Sequence, residues 1–131
     1  IQPGAPALSK KTFLIVDGSE RVRKATRLAF EGELVVIVVA SPEEAIQLFD
    51  SDNPDAVILE IEFEHQLLGW EVLKHIRAKG SRAVVLIITR DREAGTHPMK
   101  SQADGFLKKP SSYSSIQTFL VENGIFSPSS S

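Results

Sequence analysis

A chain of 131 residues with 42% hydrophobic and 24% charged residues has the size of a single domain, long enough to bury a core without cross-links. It contains no cysteine, so cohesion must come from packing rather than from disulfides or thiolate metal sites. The 15 Lys and Arg and 17 Asp and Glu are spread along the chain, which argues against a nucleic-acid footprint, and the longest apolar run, Leu34 to Ala40, is far short of the ~20 residues of a membrane helix.

The opening IQPGAPALSK is rich in Pro, Gly and Ala without periodicity, and the ending FSPSSS is similar. These features lead us to expect a linker or tag-derived segment over residues 1–10, one domain over 11–124, and a linker or tail over 125–131. The whole is expected to be a module of a longer cytoplasmic protein.

Four runs, FLIV, LVVIVV, AVILEI and AVVLII, are short, continuous and rich in β-branched residues, as parallel strands buried on both faces are. A shorter fifth, GFLK, follows near the end. Helical spacing lies between them. Val22, Ala25 and Ala29 share one face, Ala45 meets Leu48 and Phe49, Val72 meets Ile76, and Ile116 meets Phe119 and Leu120. Ser41-Pro42-Glu43-Glu44 supplies a cap, an N1 proline and two acids for the second helix, while Gly32 and Gly80 are placed to close the first and third. The segment RDREAGTHPMKSQA carries Gly95 and Pro98 and almost no apolar face, so the fourth helix is expected to be short, distorted or mobile. Alternating strand and helix predicts an α/β fold, a doubly wound parallel sheet with helices on both faces.

Four of these strand segments end on a polar residue: Asp17, Glu60, Thr89 and Lys109. In a parallel sheet those side chains converge at the carboxyl edge, where open α/β sheets bind ligands. The stretches FLIVDGSE, PDAVILE, GWEVLKHIR and ADGFLKKP, taken together, resemble the receiver (CheY-like) domain of two-component response regulators over roughly Lys11 to Gly124. The resemblance implies a flavodoxin-like sheet of five strands in the order 2-1-3-4-5. It also implies a non-enzymatic module of two-component or phosphorelay signalling.

In that family a phosphoryl group passes to an aspartate beside a Mg²⁺ held by an acidic pair, with a lysine on another phosphoryl oxygen. Asp17 matches the first acid, but Gly18 stands where the second would be, and Glu60 aligns with the acceptor aspartate. The extra methylene displaces the carboxylate by more than ~1 Å, an error that can cost on the order of a hundredfold in rate. These two departures imply a degenerate pseudo-receiver, with Mg²⁺ binding weak or absent and no other cofactor. Thr89 matches the switch hydroxyl, Phe106 the rotating aromatic, and Lys109-Pro110 the Lys-Pro pair whose peptide bond is cis in the family. Phe106 reads equally well as a core aromatic on an edge strand. Glu60 is either an imitation of the phosphorylated state or a drifted remnant paired with Lys109.

The loop IEFEHQLLG is one residue longer than the family's common spacing and lacks its proline. Glu62 and Glu64 in it are candidate substitute ligands, although loop acids are usually solvated. His65, His75 and His97 are scattered without an i, i+4 pair and do not suggest a metal site. The expected partners are sister domains, another signalling protein or a second copy, met through the fourth and fifth helices and the fifth strand. The alternatives are a working phosphorelay receiver with an unusual acceptor and a flavodoxin-like cofactor binder. The missing phosphate-cradling loop counts against the latter.

Overall fold

A computed structural model describes residues 10–127. Five parallel strands, β1 (Thr12–Val16), β2 (Val35–Val39), β3 (Ala56–Leu59), β4 (Val84–Thr89) and β5 (Gly105–Lys108), lie in the order β2-β1-β3-β4-β5. This is the flavodoxin-like order that the sequence resemblance implied. Alternate residues of each strand enter opposite cores, as the two-residue period of a strand requires. Leu14, Val16, Val57, Leu59, Val85 and Ile87 pack on one face against Phe49, Trp70, Leu73 and Ile76. Phe13, Ile15, Ile58, Leu86 and Ile88 pack on the other against Phe30, Ile116 and Leu120.

The helices are α1 (Glu20–Phe30), α2 (Pro42–Asp52), α3 (Gly69–Ala78) and α4 (Tyr113–Glu122). Ser19, Ser41 and Ser112 each cap a helix by accepting a backbone N–H three residues on, so these starts are fixed by local chemistry. Gly80 ends α3 with φ +73°, whereas Gly32 has no positive φ and α1 closes at Glu31. Asn53, unremarked in the sequence, closes α2 in the left-handed region at φ 49°. The periodic face of α1 is less covered than its spacing suggests: Ala25 is exposed, because it lines an open groove between α1 and α4. Beyond α4, Ile125 is buried and the Phe126 ring lies 6.3 Å from that of Phe30.

In place of a fourth regular helix stand two 3-10 turns, Ala94–Thr96 and Pro98–Gln102. Their anchors are few but specific. The His97 ring stacks on Trp70 with centroids 4.0 Å apart, and its Nδ1 accepts the Met99 N–H. At the other end Arg77 donates to the Gln102 carbonyl at 2.8 Å and pairs with Asp104 at 2.9 Å, and the Asp104 carboxylate also accepts the Val85 N–H. A short segment held at its ends has little cooperative helix to protect its amides. Hydrogen exchange followed by mass spectrometry should be fastest between Arg90 and Gln102, and Arg77→Ala should speed it there without affecting the strands. Protection equal to that of β4 would refute the assignment of this segment as the least stable part of the fold.

Candidate functional site

Register places the polar residues at one edge. Val16 pairs with Leu59 and the Glu60 N–H donates to the Val16 carbonyl, so Asp17 and Glu60 lie side by side just past the ends of neighbouring strands. Thr89 pairs with Lys108, which brings Lys109 to the same edge from β5. The Lys109–Pro110 peptide is cis.

Lys109 Nζ lies 2.7 Å from Asp17 Oδ2 and 2.7 Å from Glu60 Oε1. Both acids are buried, at 2% and 6% exposure, so the charge of the pair is neutralised within the protein rather than by water. The remaining oxygens are also engaged. Asp17 Oδ1 accepts the Ser19 N–H at 2.9 Å, and Glu60 Oε2 accepts those of Ile61 at 2.6 Å and Glu62 at 2.9 Å. Burial pulls the pKa of Lys109 down, but the hydrogen bonds and charges of Asp17 and Glu60 outweigh it and leave the pKa above the usual lysine value.

Thr89 is fully buried at the same edge, but its hydroxyl accepts the Asp91 N–H at 3.2 Å and makes no hydrogen bond to Glu60. Phe106 is half-buried against the core, with Lys100 Nζ 5.1 Å from its ring centroid. It lines an open cavity of about 630 Å³ with Gly95, His97, Lys100 and Ala103, away from the carboxylates. A second cavity of about 580 Å³ opens over Asp17, Gly18, Glu60 and Lys109 and has Glu43, Glu62 and Glu64 at its rim. The site thus brings together Asp17, Glu60 and Lys109, with Gly18 at the mouth, and leaves Thr89 and Phe106 turned elsewhere.

His65, His75 and His97 do not converge. His65 lies 3.7 Å from Glu62, His75 Nε2 meets Asp50 at 2.8 Å, and His97 stacks on Trp70. The His75 hydrogen bond is the main influence holding the Asp50 pKa below its usual value. Among the described residues no cluster of three or more His, Cys, Asp or Glu is arranged to hold a metal.

Two contributors escaped the sequence reading. A Cβ on Gly69 would lie 2.2 Å from the Glu60 carbonyl oxygen, so only glycine lets α3 start directly on the backbone of Glu60. Phe63, 6% exposed, continues the alternation of Leu59 and Ile61 beyond the end of β3, and that alternation was the signal available for it.

Two substitutions test this arrangement. Lys109→Met strands two buried carboxylates and should cost about 3–5 kcal/mol by urea denaturation near pH 8. In the unmodified chain the raised lysine pKa makes the contribution of Lys109 complete below about pH 10.4, and it disappears only as pH rises through the folded-state value. Gly69→Ala should cost about 1–3 kcal/mol through overpacking.

A family model for the response regulator receiver domain matches residues 13–120. The response regulator MprA of Mycolicibacterium vanbaalenii is 35% identical over 105 residues, covering 75% of this chain and 43% of that protein. MprA of Mycobacterium tuberculosis is 33% identical over the same length. The chain therefore spans less than half the length of these curated relatives. Among solved structures, the Thermotoga maritima response regulator TrrA in complex with Mg²⁺-BeF is 26% identical with a TM-score of 0.77, covering 86% of this chain and 97% of that one. A CheY-like receiver domain protein from Methanospirillum hungatei is 20% identical with a TM-score of 0.78, covering 88% and 94%. With the doubly wound sheet and the polar edge, these matches establish that the chain belongs to the response regulator receiver domain family, as a signalling module of the two-component type rather than an enzyme.

Proposed function

We propose that this receiver module does not accept a phosphoryl group at Glu60 and acts through protein–protein contacts alone. The observation that carries the reading is the full engagement of Glu60: Lys109 holds one oxygen, and the Ile61 and Glu62 N–H groups hold the other. An in-line nucleophile needs a free, aligned oxygen, and here attack would first break a buried ion pair. The residues also do not fit Mg²⁺, which requires octahedral oxygen ligands: Asp17 is spent on Lys109 and Ser19, and Gly18 contributes no carboxylate. No step of the function is routed through the metal.

Receiver domains act through protein contacts and can pair through the face built from the fourth helical segment, the fifth strand and the last helix. On this chain that face comprises residues 94–102, β5 and α4. The Phe106 cavity and the loosely anchored turns support its use by a sister domain, another signalling protein or a second copy.

Within this reading, a Glu60 that imitates the phosphorylated state is supported by its contact with Lys109, and a remnant by the Thr89 hydroxyl, which is occupied by Asp91. The second observation is the more specific, because a carboxylate with one charge and two oxygens offers little to draw the hydroxyl across. We therefore read the state as inactive-like.

The experiment is incubation with a small phosphodonor and millimolar Mg²⁺ followed by intact mass. The mass should be unchanged. Addition of one phosphoryl group, mapped to Glu60 or a neighbouring acid, would establish instead a phosphorelay receiver with an unusual acceptor.

A further inference from the structure

The face of the sheet covered by α1 and α4 is not closed along its whole length. A cavity of about 320 Å³ opens between these helices, with Val22, Ile58, Ile88 and Ile116 in its lining together with Arg21 and Arg90. A smaller one of about 130 Å³ shares Ala25 and Ile116 with it and runs on to Phe30 and Tyr113, whose rings stack 4.9 Å apart. The floor of the larger cavity is recessed: Ile58, Ile88 and Ile116 are 3%, 5% and 7% exposed, so only a compact group reaches them. An apolar floor with a few polar groups, at the lower end of the ~300–1,000 Å³ range of ligand cavities, is the lining of a small-molecule site.

The charges of that lining are one-sided. Three cations, Arg21, Arg90 and Lys109, meet one carboxylate, Asp17. Lys109 and Asp17 neutralise each other at 2.7 Å. Arg23 and Arg27, also on α1, donate to the carbonyls of Asp17 and Val36. Arg21 and Arg90, in contrast, make no salt bridge or side-chain hydrogen bond among the described residues, and both are exposed. Each guanidinium presents a fork of donors that matches a carboxylate, and an apolar wall beside it strengthens the contact by excluding water.

We propose that the cleft between α1 and α4 binds a small carboxylate with a compact aromatic body. Arg21 and Arg90 take the carboxylate, the ring covers Ile58, Ile88 and Ile116, and the aromatic pair of Phe30 and Tyr113 bounds the far end. Asp17 and Lys109 line both this cavity and the one over Glu60, so an occupant lies against the ion pair that closes the sheet edge. The cleft adds a chemical input to a module whose output is protein contact, and it holds whether or not Glu60 accepts a phosphoryl group.

The test titrates 2-naphthoate, neutral 2-naphthamide and acetate into the full chain at neutral pH and follows the amides of residues 21–29 and 110–117 by NMR. 2-Naphthoate should shift them saturably with a Kd on the order of 1 mM or below, and the other two should bind at least about tenfold more weakly. The Arg21→Gln/Arg90→Gln variant should weaken 2-naphthoate about tenfold and leave 2-naphthamide unchanged. Ala25→Leu, at an exposed helix position where leucine costs little, should fill the cleft and weaken both aromatic probes. The absence of a saturable shift with 2-naphthoate up to about 10 mM overturns the small-molecule site. Equal binding of 2-naphthamide, or binding that survives loss of both arginines, overturns the anion reading. Shifts confined to residues 94–106 overturn the placement.

Discussion

One lysine holds the carboxyl edge of this sheet together. Topology forces Asp17 and Glu60 into adjacency, because β1 and β3 are hydrogen-bonded neighbours with Val16 beside Leu59. Two carboxylates that close, both almost wholly buried, repel each other in a medium that screens poorly. Lys109 resolves this from β5, across the intervening β4, with a stem long enough to reach both. Such a triad adds little net stability over apolar packing, since desolvation offsets most of its Coulombic gain.

The same strand that supplies the lysine also supplies Phe106, three residues earlier, to the opposite side of the edge. The acidic pocket and the Phe106 cavity are thus built on one short stretch of backbone whose carboxyl end is tied to Thr89 by the Lys109 N–H. Thr89 in turn receives the N–H of Asp91, at the beginning of the segment that leads to the 3-10 turns. The acidic pocket, the Thr89 hydroxyl and the segment of 3-10 turns are therefore joined by consecutive hydrogen bonds.

Much of this was legible in the sequence, because each strand announces its own end: an apolar run stops on a polar residue, and parallel register does the rest. Ser41 and Pro42 gave the start of α2 for equally local reasons, and Gly95 and Pro98 marked the weakness of the fourth helix. What escaped depends on distant partners. Phe63 lies among acids and reads as a solvated loop unless the alternation of Leu59 and Ile61 is carried past the end of β3. Gly69 shows no local reason to be glycine until α3 is set down on Glu60. The spacing of Ala25 identified a helix face correctly but not how closely α4 would cover it, since periodicity gives direction and not distance.

The stack of His97 on Trp70 has an optical consequence. Trp70 is the sole tryptophan of the chain, its indole is 6% exposed, and its Nε1 has no hydrogen-bond partner. Its emission therefore depends on the ring lying against it rather than on solvent or a polar acceptor. Because that ring belongs to the 3-10 turns between β4 and β5, the protein carries a single tryptophan placed where any movement of those turns would change its surroundings.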